Sequence, residues 1–282
     1  MTTSDTAPFT PHWLALREDA DAAARAADLL GPLREHLAGA SGGGPLVVRD
    51  LGCGTGSMGR WLSGSLPGPQ HWILHDHDPA LLALAAASLT ALTAGGGPVT
   101  AETREGDLTR LTAADLAGTS LVTASALLDL LTADETDALA ATCTAAGVPV
   151  LFGLSVVGEV ELGPADPLDA DITAAFNAHQ RRSASGRALL GPDALDVAAR
   201  AFTRHGATVT TRPSPWRLGA DDSALTAEWL RGWVGAAVEQ DPGLAAPAQA
   251  YLRRRLADCA AGRLTAVVGH EDLLALPGGG AR

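Results

Sequence analysis

Lysine is missing from this 282-residue chain, so all 20 of its basic residues are arginine. Chemistry that needs a lysine amine is thereby excluded, above all Schiff-base catalysis with pyridoxal phosphate or in aldolases. A Walker-type phosphate loop, which relies on its lysine, is excluded as well. Aromatic residues are scarce at 4%, so the core must come from Ala, Leu and Val, which suits helices laid on a sheet. Only three cysteines occur, Cys53, Cys143 and Cys259, far apart and without CxxC spacing. That pattern argues against a disulfide framework or a structural zinc site, and no metal is expected. No apolar run approaches the roughly 18 residues of a membrane span, and residues 1–11 lack the basic start and apolar stretch of a signal peptide. A soluble, cytoplasmic protein without a membrane partner is expected. The formal net charge of −12 would on average repel phosphates, so nucleic acid is not an expected partner. The basic stretches Arg181-Arg182 and Arg253-Arg254-Arg255 read as solvated helix faces.

Strand and helix signals alternate along the chain. Residues 11–39 form a helical region in which Trp13, Leu14, Leu16, Ala20, Ala23, Ala24, Ala27 and Leu30 recur at helical spacing. A break at 41–45 precedes a buried strand, Leu46-Val47-Val48, that runs into a sharp turn at Arg49-Asp50, with a helix from Gly56 to Ser63. The second unit has a strand at 71–74 and a helix from Pro79 to Thr93, with Asp78 as N-cap and Pro79 at the first helical position. Further strands are expected at 99–103, 120–123, 148–154 and 207–211, helices at 134–146 and 192–204, and a final strand at 264–268. Two regions break the rhythm: 157–191, with no clear strand and a helical piece at 169–182, and 222–262, which reads as two helices. Such alternation predicts an α/β fold with a doubly wound, mostly parallel sheet. The domain plan is a single unit over 1–282, with an N-terminal helical cap (11–40), a ligand-binding core (45–155) and lid insertions at 157–191 and 222–262.

The segment Asp50-Leu51-Gly52-Cys53-Gly54-Thr55-Gly56 carries the chemistry. Three alternate glycines between a strand and a helix make a turn without Cβ atoms, which a ligand can approach closely beside a helix N-terminus. Gly54 to Gly59 also satisfies the dinucleotide pattern G-x-G-x-x-G. Against that match stand the extra Gly52 and above all Asp50, whose carboxylate repels a pyrophosphate but accepts hydrogen bonds from an ammonium group. Asp76, at the end of the second strand and followed by His77, is placed to take both hydroxyls of a ribose; the plainer reading is a strand-end turn residue. Asp107 can accept from an adenine amine with the Leu108 backbone near the ring, or simply cap the turn at Thr109.

In order and spacing, Asp50 to Gly56, Asp76 to Pro79 and Gly106-Asp107 resemble motif I, the acidic loop and the adenine loop of class I S-adenosylmethionine-dependent methyltransferases. The resemblance covers residues 45–155 well and continues loosely beyond. It implies a seven-stranded sheet with the last strand antiparallel, helices on both faces and helical insertions forming a lid. It implies S-adenosyl-L-methionine as cofactor, S-adenosyl-L-homocysteine as product, and a small-molecule acceptor methylated at O, N or C by direct displacement. The residues implied at the donor are Asp50, Gly52, Cys53, Gly54, Gly56, Asp76, His77, Asp107, Leu108 and, near the methionine part, Ser125. The Asn/Asp-Pro-Pro-Tyr motif of the family's amino methylases is absent from Ala124 to Asp129.

On the acceptor side the residues speak less directly. Arg17 or Arg25 is a candidate for the methionine carboxylate, which a guanidinium matches in bidentate geometry, the alternative being an exposed i,i+4 pair such as Asp21 with Arg25. His179, in the polar run Asn177 to Arg182, is the candidate general base. Asp129 is either a site residue or a helix cap. Trp216, Trp229 and Trp233 are expected in the core, with the lining of an acceptor pocket as the other reading. A monomer or homodimer is expected. Two further functions stand beside methyl transfer: a protein that binds S-adenosylmethionine without transferring methyl, and an NAD(P)-dependent oxidoreductase.

Overall fold

The computed structural model describes residues 10–40, 44–94, 97–184 and 186–278. The polar start at 1–9 and the glycine breaks at 41–43 and 95–96 lie outside the described residues. Seven strands make the main sheet: β1 (Leu46–Leu51), β2 (Gln70–Asp76), β3 (Gly97–Glu105), β4 (Leu121–Ser125), β5 (Val150–Gly163), β6 (Thr208–Pro213) and β7 (Thr265–Leu276). Their spatial order is β6-β7-β5-β4-β1-β2-β3, with short segments at Thr93–Ala94 and Trp216–Leu218 added beside β3 and β7. β1 lies parallel to both β2 and β4, and the parallel pairing continues to β3 on one side and β5 on the other. β7 is inserted antiparallel between β5 and β6. The expected doubly wound α/β sheet with an antiparallel last strand is thus observed.

Helices cover both faces. On one face α2 (Leu30–Ala40), α3 (Ser57–Ser63) and α4 (Pro79–Thr90) bury Leu33, Met58, Leu62 and Leu89 against Val48, Trp72 and Leu274. On the other, α5 (Ala133–Ala145) and α7 (Ala194–Arg204) bury Leu139, Ala198 and Phe202 against Val122, Phe152 and Leu273. Leu273 and Leu274 point to opposite faces because successive strand side chains alternate. The α4 start is as the sequence dictates: Asp78 accepts the Ala80 N–H at 2.8 Å, with Pro79 next.

A third apolar cluster sits beyond the sheet. There α6 (Asp169–Gln180), α8 (Ser223–Gln240) and α9 (Ala245–Ala260) pack with Trp216, Trp229, Trp233 and Tyr251. Trp229 and Trp233 stack at 5.1 Å between ring centres. A buried knot braces this cap: Arg255 and the Tyr251 hydroxyl both donate to Asp169. Helix α1 (Pro11–Ala24) joins it through Trp13, Leu16, Ala20 and Ala24.

Three sequence expectations need correction. The single helical region at 11–39 is two helices, with a break through Arg25 and a 3₁₀ turn at Ala27–Leu29. The strand expected to stop at 154 continues to Gly163, because Val160 and Leu162 face the cap while Glu159 and Glu161 face solvent. The last strand reaches Leu276 rather than 268, through register shifts between Val268 and His270 and between Glu271 and Leu273 that let polar residues be paired within it.

Candidate donor-binding site

A cavity of about 840 Å³ opens at the carboxyl ends of β1, β2 and β4, inside the ~300–1,000 Å³ range of small-molecule sites. Its walls are the turn after β1, residues 75–78, residues 106–109, the segment after β4, and Leu14, Arg17 and Asp21 of α1. Asp50, Gly52, Cys53, Gly54, Asp76, His77, Asp107, Leu108, Ser125 and Arg17 all line it. These candidates from the sequence thus share one surface, whereas Gly56 and Arg25 do not line it.

The glycines divide into two jobs. Gly52 and Gly54 adopt φ of +64° and +53° in the turn itself, where a side chain is strained. Gly59 instead lets α3 approach α4, where a Cβ would lie 2.7 Å from Leu89, and Gly56 does both: its φ is +86°, and a Cβ on it would lie 3.2 Å from the Ala85 backbone. The last two members of the overlapping dinucleotide pattern are thus accounted for by helix packing.

Asp76 ties the turn to its neighbour. Its Oδ2 accepts the Gly54 N–H at 2.9 Å and its Oδ1 the Asp78 N–H at 3.0 Å. His77 is exposed, with Nδ1 3.3 Å from Asp76 Oδ1. Next to it, His75 takes a 2.7 Å hydrogen bond from Arg49, and burial plus that cation push its pKa down to about 4, so the ring is neutral. Asp107 accepts from the Thr109 N–H and hydroxyl, so the turn-capping role is realised while the residue also lines the cavity. Burial pushes the Cys53 thiol up, which keeps it protonated.

The decisive geometry lies at the inner end. Asp50 is buried; its Oδ1 accepts from the Thr123 hydroxyl at 2.8 Å, and its Oδ2 meets no partner among the described residues. Desolvation raises its pKa to about 7, against the pull of Thr123 and Arg25. Arg25, also buried, donates Nη2 to Ser57 and Ser125 at 3.2 Å each, while its Nε and Nη1 have no partner. Desolvation lowers the Arg25 pKa, opposed by Asp21, Asp272 and Asp50. One unsatisfied carboxylate oxygen in the cavity wall and one unsatisfied guanidinium edge, held behind that wall by the lining residues Ser57 and Ser125, thus both lie out of water.

Sequence reasoning missed the residue that seats Arg25. Asp272 of β7 is buried and accepts three hydrogen bonds: Ala26 N–H at 2.8 Å, Leu154 N–H at 2.7 Å and the Ser214 hydroxyl at 2.6 Å. The Ala26 bond holds the break between α1 and α2, and hence Arg25, against the sheet. No local motif marks it. Leu14, over Gly54, and the Glu18–Arg60 ion pair at 2.6 Å between α1 and α3 were also not foreseen.

The remaining candidates lie elsewhere. His179 is absent from the cavity wall; its Nε2 is 3.3 Å from Glu239 of α8. The i,i+4 partner of Asp21 is Arg17, not Arg25, and the pair is largely buried. Thr132, not Asp129, caps α5, through a capping box with Glu135. The three late tryptophans are core, as the plainer reading had it. Among the described residues no His/Cys/Asp/Glu group has a metal-binding arrangement, and no helix is long and apolar enough to cross a membrane.

No family model and no curated protein matches the chain. Solved structures resemble it at low identity. A methyltransferase from Geobacter sulfurreducens in complex with S-adenosyl-L-homocysteine is 18% identical, covering 95% of this chain and 98% of its own, with a TM-score of 0.45. The cyclopropane synthase MmaA2 from Mycobacterium tuberculosis is 13% identical over 95% and 100%, with a TM-score of 0.42. The [4+2]-cyclase SpnF is 15% identical over 90% and 82%, with a TM-score of 0.41. Likeness at this distance says nothing of a ligand; the strand order speaks for the fold directly. The chain has a doubly wound α/β fold with an antiparallel strand inserted next to the sheet edge.

Proposed function

We propose that the protein is an S-adenosyl-L-methionine-dependent methyltransferase acting on a small molecule. The observation that carries this is the buried, unsatisfied Oδ2 of Asp50 in the wall of a cavity that begins in a glycine turn, with the equally buried and unsatisfied Arg25 edge of opposite sign behind that wall, held there by Ser57 and Ser125. An amino-acid zwitterion supplies a partner for each: its ammonium for Asp50, its carboxylate for Arg25. A dinucleotide supplies no ammonium, and its pyrophosphate would meet the Asp50 carboxyl. Asp76 then stands at the ribose, and Asp107 with Leu108 at the adenine.

When bound, S-adenosylmethionine supplies an electrophilic methyl on a sulfonium, leaving S-adenosylhomocysteine after displacement. The chain's own part is to hold and to exclude. Arg25, Ser57 and Ser125 fix the methionine end, Leu14 and the rest of α1 cover the glycine turn, and the dry wall of Leu127, Leu130 and Leu131 keeps water out. Within this reading residues 11–40 and the 157–191 and 222–262 insertions form the lid of a single domain.

Calorimetric titration with S-adenosylmethionine, S-adenosylhomocysteine and NADH tests the proposal. Both sulfur ligands are expected to bind and NADH not to. Asp50→Ala and Arg25→Ala should each weaken the sulfur ligands about 30-fold or more, since each strips one partner from a desolvated charge pair. Binding of NADH, or indifference to both substitutions, overturns it.

A further inference from the structure

Arg17 is a second, differently built guanidinium on the same wall. Its Nε donates to Asp21 Oδ2 at 2.9 Å, and the other oxygen of Asp21 accepts from Trp216 Nε1 at 2.9 Å. The guanidinium lies 5.2 Å from the Trp216 ring centre and 6.0 Å from that of Trp13. Held from one side by a saturated carboxylate and from below by indoles, the fork is locked in place. Its two terminal nitrogens meet no hydrogen-bond partner among the described residues, though the side chain is only 11% exposed and lines the cavity. That unused planar edge belongs to a side chain that lines the cavity, where an anion can complete it. A fork fixed in this way matches a carboxylate in bidentate geometry.

The donor does not need this fork, because the methionine end has Arg25. Arg17 precedes it by eight residues on α1, which ends at Ala24, and lines the cavity as Arg25 does not; the two cations repel each other, which adds to desolvation in lowering the Arg25 pKa. A competing carboxyl, Asp129 on the turn after β4, feels Arg17 and Arg182 but hydrogen-bonds to neither; burial pushes its pKa up to about 6. The buried His270, near Trp216, is held neutral by burial and by Arg17 itself, so it adds no second positive charge beside the fork.

We infer that Arg17 anchors the acceptor through a carboxylate, so that the acceptors of this site are small carboxylate-bearing molecules. This deepens the methyltransferase reading and rests on it. The test is calorimetry on protein loaded with S-adenosylhomocysteine, with benzoate, phenylacetate, 3-phenylpropionate and indole-3-acetate each titrated beside its primary amide. At least one acid is expected to bind, at least about tenfold more tightly than its amide, as a charged hydrogen-bonded pair requires. Arg17→Gln should erase that difference and leave S-adenosylhomocysteine affinity within about threefold, which also reports that the variant is folded; Arg17→Lys should restore only part of it. Acids that bind no better than amides, or no acid binding at all, overturn the inference while the donor site stands. A loss of S-adenosylhomocysteine affinity in Arg17→Gln comparable to that in Arg25→Ala overturns it too, by giving Arg17 to the donor. Failure of the wild-type protein to bind S-adenosylhomocysteine is a separate result, and sinks the donor reading first.

Discussion

The wall of the cavity under the glycine turn and the wall under α1 are assembled over very different chain distances. In the first, the bond that matters most locally joins Gly54 to Asp76, 22 residues apart. In the second, Trp216 reaches Asp21 across 195 residues and Asp272 reaches Ala26 across 246. The first wall consists of strand ends and the turns that follow them, so each functional side chain is delivered by the element that carries it. The second consists of side chains that are useful only where distant segments meet. On the proposed function, the donor's adenosine part and its ammonium meet the first kind of wall, and its carboxylate and the acceptor meet the second.

The largest expected effect tests whether the long-range wall depends on its clamp. Asp272→Ala should destabilise the protein by about 3–5 kcal/mol, because it strands two buried N–H groups and removes a carboxylate with three donors. Urea unfolding monitored by tryptophan fluorescence reads this, and a loss under about 1 kcal/mol would show the clamp to be dispensable. A smaller effect sharpens the role of Asp50 within the short-range wall. Its pKa in the folded, ligand-free protein is raised from 3.8 to about 7, so the group favours the fold below pH 4 and that contribution is lost as pH rises to 7. An ammonium ligand prefers the ionised form, so S-adenosylhomocysteine affinity should climb by up to about tenfold per pH unit between pH 5 and 7. Asp50→Asn should flatten that slope; a slope unchanged in the variant assigns it to another group. The smallest effect is expected from His179→Ala, which removes a side chain outside both walls: donor affinity should stay within about twofold by calorimetry, and a larger loss would bring α6 into the site.

The same contrast explains how much was legible in the sequence. The sheet, the Asp78–Pro79 helix start and the cavity-lining residues from Asp50 to Ser125 could be read because the signal for each is local: β-branched runs, alternating glycines, an acid at a strand end. The ends of the long strands were less legible. The extension of β5 does alternate polar and apolar residues, Glu159-Val160-Glu161-Leu162, a signal overlooked behind Gly158, whereas Gly269, Glu271 and Asp272 look like loop residues although they lie within β7. The break at Arg25 had no sequence signal either, since its cause is a carboxylate on the last strand. His179 was favoured for its type and its polar neighbours, which say nothing about direction; in the fold it turns to Glu239.

The Asp272 clamp also sets an order of assembly. It gathers positions 26, 154, 214 and 272 onto one carboxyl group, and the last of these leaves the ribosome long after the glycine turn. A nascent chain of 250 residues has every glycine and acid of the adenosine wall, but nothing with which to seat Arg25. On the proposed function, competence for the donor's carboxylate therefore arrives only with the final strand, through a contact that spans 246 residues.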